Sequence, residues 1–149
     1  MKFQKDVYSC GVASIINALR CFCVKIPEKR VRAHSATKEE YGTSEHGIKN
    51  ALERLGYVGR DLLCGNKDEA CWGVGEAIEN GSPVVLLLDR RQHWAVCIGR
   101  IGDRFIVFDS TRTKKNKEEH GVHVYRATQL ASRWRQADGT YYGIVVKKS

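Results

Sequence analysis

Six residues after Gln4 comes Cys10, followed at once by Gly11 and then by Val12, Ile15, Ile16 and Leu19 at helical spacing. A cysteine acts as a nucleophile when it has a thiolate, a general base, a group that orients the base, and donors for the oxyanion that develops on the attacked carbonyl. A helix N-terminus supplies the first, because its unpaired amides and dipole favour a negative sulfur. Gly11 is expected to let the backbone approach a substrate with no side chain in the way. The Gln4 amide can donate to an oxyanion, provided that the segment from Lys5 to Ser9 folds back and brings it beside Cys10.

The base must come from five histidines. His34 and His46 lie in or near polar segments, and His120 and His123 stand at the exit of a charged run. His93 instead opens the strand-like HWAVCIG, and a strand end is a rigid mount for a base. Asp109 ends the partner run RFIVFDS, and its carboxylate would hold one imidazole tautomer and stabilise the imidazolium. If the two runs form a hairpin, His93 and Asp109 face each other across a loop with an odd number of residues centred on Ile101. A two-residue turn at Gly102-Asp103 puts them on opposite faces unless a bulge intervenes. Gly99 and Gly102 favour the longer loop. Taken singly, Cys10 reads as a core thiol, His93 as a structural histidine, Asp109 as a turn residue and Gln4 as surface. Together they fill every role in one mechanism.

The elements that must position these residues follow from the pattern. Ser9 reads as the N-cap of a first helix reaching about Cys23. Pro27 fits the first turn of a second, PEKRVRAH. EYGTSEHG reads as a loop with a cap at Thr43 or Ser44, entering a helix in which Ile48, Leu52 and Leu55 share a side and Gly56 is the stop. A short strand over 57–63 and a glycine-interrupted helix over 68–79 follow. PVVLLLD reads as a buried strand, KKNKEEHG as a charged loop, ATQLASRWR as a short helix and YYGIVVKK as a closing strand. Helices lead and antiparallel strands follow, an α+β arrangement.

At 149 residues the chain suits a single domain, residues 1–149, large enough to bury a core without a metal or disulfide. No signal peptide or membrane-length run is read, so a cytoplasmic protein with free, mostly buried thiols is expected. Cys21-x-Cys23 and Cys64-x6-Cys71 lack zinc-knuckle spacing, and His120-x-x-His123 lies on a polar stretch, so neither metal nor cofactor is expected. The net charge is +8, with Lys114, Lys115 and Lys117 clustered and Lys147 and Lys148 near the end. No nucleic-acid motif accompanies these lysines and no aromatics interleave them, so a basic surface favouring an acidic substrate is expected over nucleic-acid binding.

The order of Q-x5-C-G, then HWAV, then FDS sixteen residues after the histidine resembles the papain-like cysteine peptidases. Among them it is most similar to the peptidase domains that remove double-glycine leaders from bacteriocin precursors. YGTSEHGIKNALERLGY resembles that family's middle segment, and NGSPVVLLLD its entry to the first core strand. The resemblance implies a papain-like fold, with N-terminal helices packed on a C-terminal antiparallel β-sheet. It implies a cysteine peptidase acting on a peptide or isopeptide bond, with Cys10 the nucleophile, His93 the base, Asp109 its partner and Gln4 the oxyanion donor. A protein or peptide substrate with glycine or small residues at the cleavage site would follow. Ser9 stands where that family commonly has aspartate. The same scaffold serves thiol acyltransferases, amidases and inactive binding modules.

Overall fold

The structure, a computed structural model, describes residues 1–38 and 42–149. The elements in chain order are α1 (Cys10–Arg20), α2 (Glu28–Ser35), α3 (Glu45–Arg54), β1 (Tyr57–Cys64), α4 (Lys67–Glu79), β2 (Val84–Leu88), β3 (His93–Ile101), β4 (Arg104–Phe108), α5 (Lys114–Glu118), β5 (Val122–Arg126), α6 (Ala127–Trp134) and β6 (Tyr141–Lys148).

Every residue of β2 is buried, which requires cover on both faces of the sheet. Alternation along the strand provides for it. Val85 and Leu87 pack with α1, α2 and α3, whereas Val84, Leu86 and Leu88 pack with α4 and α6. The six strands lie in the order β1-β6-β2-β3-β4-β5, and every neighbouring pair is antiparallel. The architecture is thus the expected α+β one, with a second helical layer behind the sheet.

Local chemistry accounts for the element ends. The Ser44 hydroxyl caps α3 by accepting from the Gly47 N–H, and Gly56, at φ 90°, ends that segment. Pro27 occupies the N-cap of α2, and Asn66 caps α4. The loop expected from Glu40 has Glu40 and Tyr41 outside the described residues. Two local expectations are corrected, and one strand was not read at all. α1 stops at Arg20, three residues early, and Cys23 turns the chain away at φ 62°. The charged run holds a short helix, α5, capped by Thr113. VHVYR is a sheet-edge strand, whose outward Val122 and Val124 weaken the signal of a half-buried strand.

The β3–β4 hairpin resolves the register. Its turn is the two-residue one, Ile101 pairing with Arg104 around Gly102-Asp103, and Gly102 takes the φ of 60° that the turn needs. The longer glycine loop does not form. A bulge between Cys97 and Gly99 shifts the register by one, so that Cys97 pairs with Val107 and Val96 with Phe108. That one extra residue returns His93 and Asp109 to the same side of the hairpin.

Gly11 has a different role from the one expected. A Cβ there would stand 2.7 Å from the Thr43 Cβ and 3.3 Å from the Trp94 ring, so its bare backbone seats α1 rather than clearing a path for substrate. Gly11→Ala is expected to destabilise the chain by about 1–3 kcal/mol, the usual penalty of overpacking. A thermal melt checks this, and an unchanged Tm would mean that Thr43 moves aside freely.

Candidate active site

Cys10 is the first residue of α1 and is buried. The Ser9 side chain does not cap the helix, as its position had suggested. Its fully buried hydroxyl instead accepts from the Lys5 and Asp6 N–H groups, at 3.1 and 3.0 Å, and donates to the Asp6 carbonyl at 3.0 Å. It therefore folds the Lys5–Ser9 segment back, leaving the first amides of α1 free to face the thiol. Arg32 adds an outer tie to Asp6 at 3.0 Å.

His93 opens β3 and pairs with Leu88 at the end of β2. Its Nε2 lies 2.8 Å from Asp109 Oδ1. The ring also stands close enough to the Cys10 thiol for each to shift the other's ionisation, and Nδ1 is the nitrogen left to face it. The Trp94 N–H donates to Cys10 Sγ at 3.5 Å, and the indole N–H donates to the Thr43 carbonyl at 2.8 Å. Trp94 itself packs in the core.

Asp109 is 7% exposed, and its Oδ1 also accepts from the Thr111 N–H at 2.9 Å and the Thr111 hydroxyl at 2.7 Å. Asn116 holds the backbone on either side, donating to the carbonyls of Asp109 and Thr111 at 2.9 and 2.6 Å. Arg133 reaches Asp109 Oδ2 at 3.5 Å. Thr111, Asn116 and Arg133 carry no motif; each matters only because the fold delivers it to the Asp109 carboxylate or its backbone. His93 and Asp109 also border a cleft of about 590 Å³, with His123 and Arg133 on its wall.

Gln4 is bonded to Ser110, the residue after Asp109. Its N–H donates to the Ser110 carbonyl at 2.9 Å, and its Oε1 accepts from the Ser110 hydroxyl at 3.0 Å. Its Nε2 gives one hydrogen to the Asp6 carbonyl at 2.8 Å, which leaves the second. The strand of chain before it is fastened to α1 by a two-way pair between Lys2 and Asn17, at 2.6 and 2.8 Å.

The electrostatics suit an ion pair. Burial pushes the Cys10 thiol up, but the His93 hydrogen bond and charge, with the Trp94 and Gly11 amides, outweigh it and leave the thiol below its usual range. Burial pulls His93 down, yet its bonds to Asp109 and Cys10 carry it up to about 9. Burial raises Asp109, but His93 and Thr111 hold it below the usual carboxylate range. Cys97, buried without such partners, is pushed up to about 12. Of the other histidines, only His123 borders the same cleft among the described residues. His46 and His120 are exposed, and the half-buried His123 bonds Asn116 at 2.6 Å. The expectation of mostly buried cysteines holds for Cys10 and Cys97; Cys21 and Cys23 are exposed, and Cys64 and Cys71 are half-buried.

This fold is shared with solved peptidase domains of bacteriocin-type transporters and C39-like proteins. The chain superposes on the peptidase domain of Streptococcus ComA, described as a bi-functional ABC transporter involved in quorum sensing, with a TM-score of 0.70 at 18% identity over 99% of this chain and 97% of that one. A double glycine motif protease from an AMS/PCAT transporter, solved in complex with the leader peptide, gives 0.71 at 14% identity, over 99% and 89% of the two chains. The C39-like domain of a toxin secretion ATP-binding protein from Vibrio parahaemolyticus gives 0.63 at 14% identity, over 95% and 98%. In sequence, 120 residues (77% of this chain) are 29% identical to the lactococcin-G-processing and transport ATP-binding protein LagD of Lactococcus lactis subsp. lactis. The chain spans 16% of that relative's length. No family model matches the chain. Among the described residues, no helix is long and apolar enough to cross a membrane.

Two outcomes are expected. Iodoacetamide at pH 6 should alkylate Cys10 well ahead of Cys97, because only the thiolate reacts; equal rates by peptide mapping would remove the ion pair. Asp109→Asn should bring the His93 pKa down from about 9 towards its ordinary 6.5, read by NMR titration of the ring.

Proposed function

We propose that this chain is a cysteine peptidase that cleaves a peptide bond through a Cys10–His93–Asp109 triad, with Gln4 as an oxyanion donor. The observation that carries the reading is the alignment of a buried thiol at a helix start with an imidazole that it perturbs and whose far nitrogen is bonded to Asp109 at 2.8 Å. A thiol at an ordinary helix start has no reason to face an imidazole whose far nitrogen is already held by a buried carboxylate.

The steps follow from that line. The Cys10 thiolate attacks the scissile carbonyl carbon, and the carbonyl electron pair moves onto oxygen. The second hydrogen of Gln4 Nε2 and the Cys10 N–H, at the first turn of α1, are the donors for that oxyanion. Collapse expels the amine, which takes its proton from the His93 imidazolium and leaves a thioester on Cys10. Neutral His93 then removes a proton from water, the hydroxide attacks the thioester, and the acid product departs as the thiolate re-forms. Asp109 stays ionised throughout, keeping Nε2 protonated and Nδ1 directed at sulfur.

For the substrate, the structural relative that is a double glycine motif protease, solved with its leader peptide, is the guide. We therefore assign a peptide with glycine or another small residue at the cleavage site, one small enough to lie across an enclosed thiol.

A peptide-library cleavage profile tests the reading. The native chain should cut and Cys10→Ala should not. Gln4→Ala should lower kcat by about 100- to 1,000-fold with little change in KM, as removal of one oxyanion donor does. Activity should hold up to about pH 9 and fall beyond it, because His93 must be protonated to pair with the thiolate and donate to the leaving amine. Absence of cleavage for any peptide would turn the assignment towards acyl transfer or a binding module.

A further inference from the structure

The loop that delivers His93 is unusual. Asp89, Arg90 and Arg91, none of them glycine, have φ of 52°, 56° and 68°, and they form one left-handed turn closed by the Gln92 N–H on the Leu88 carbonyl at 3.2 Å. L-residues avoid this conformation because the Cβ crowds the following carbonyl, so three in succession persist only where surrounding contacts impose them. The contacts come mainly from Arg133. Its carbonyl accepts from the Asp89 N–H at 2.9 Å. Its guanidinium grips the Asp89 carboxylate with two bonds, at 3.1 and 2.6 Å. The remaining nitrogen, Nη1, faces Asp109 Oδ2 at 3.5 Å and donates to the Tyr125 hydroxyl at 3.0 Å.

We propose that Arg133 is a positioning residue for the triad: one planar fork on α6 holds both the left-handed turn that presents His93 and the carboxylate that orients its ring. The inference rests on the peptidase reading above. Two features separate this role from mere stabilisation. The Arg133 and Asp89 side chains are 30% and 44% exposed, and a pair that open to water contributes little to global stability. The role also needs three nitrogens in a fixed plane, which a lysine ammonium lacks.

The test compares the full chain with Arg133→Gln, Arg133→Lys, and Arg133→Gln combined with Arg90→Gly, each checked for folding by its thermal melt. The readouts are Cys10 alkylation at pH 6, kcat and KM on a cleaved peptide, and the downfield NMR signal of the ring proton shared by His93 and Asp109. Both single variants should lose about 10- to 100-fold in kcat and in alkylation rate, with KM within about twofold, as is usual when an outer support of a site is removed. Their downfield signal should broaden or vanish while the melt stays near the parent's. Lysine should not rescue, because charge without the fork is insufficient. Glycine at position 90, which adopts the left-handed turn freely, should recover part of the lost rate. Native rates and an intact signal in Arg133→Gln would overturn the proposal, as would full rescue by lysine. If the parent's Cys10 alkylates no faster than Cys97, the peptidase reading has failed, and the NMR signal still decides whether Arg133 orders the His93–Asp109 pair. Should Arg133→Gln not fold, Asp89→Asn, which keeps a residue tolerant of the left-handed turn, cuts the same tie and is read the same way.

Discussion

A thiolate and an imidazolium sustain each other only at hydrogen-bond range, so the site depends on how firmly α1 sits on β3. The seat is built at two adjacent positions. Gly11 has no Cβ, which lets Thr43 and the Trp94 ring close over the first turn of the helix. Trp94 then gives its backbone N–H to Cys10 Sγ and its indole N–H to the Thr43 carbonyl. Since Trp94 follows His93 directly, the residue that bonds the sulfur also limits where the His93 ring can stand.

Burial makes that seat electrostatically demanding. Moving a thiolate and an imidazolium out of water costs several kcal/mol per ion, and their attraction returns this only when the remaining hydrogen-bonding capacity is met. The chain meets it by layers. Trp94 and Gly11 amides serve the sulfur, Asp109 serves the imidazole, and Thr111 serves Asp109. Asn116 then holds the backbone around that carboxylate. Such a network adds little net stability compared with apolar packing, so its value lies in the charge state it enforces. Both helical layers contribute. The helices in front of the sheet bring Cys10, and α6 behind it reaches Asp109 from the other side through Arg133.

The core of this arrangement is legible in residue patterns because it is local. Val12, Ile15, Ile16 and Leu19 repeat at the helical period, and β2 is a continuous apolar run, so the elements flanking the site can be placed without knowing the fold. Edge features were harder. VHVYR turns Val122 and Val124 outward at the rim of the sheet, so its apolar residues mark the exposed face rather than the buried one. The hairpin register hung on a single bulge at Cys97–Gly99, and a one-residue insertion in a ladder leaves no compositional trace. Gly11 was legible as a position that excludes side chains, but what it excludes them for is a contact with Thr43, thirty-two residues away.

The amino-acid sequence by itself determined the chemistry on offer: a thiol at a helix start, a histidine and an aspartate at strand ends, and a glutamine upstream, in an order that resembles one family of peptidases. It did so because residue type and short-range periodicity are written directly in the chain. Only the tertiary structure decided that His93 and Asp109 share a side of the hairpin, that Thr111 and Asn116 secure Asp109, and that Arg133 spans from a left-handed turn to the same carboxylate. Those outcomes depend on register and on packing between segments far apart in the chain, where one bulged residue reverses which side chains meet.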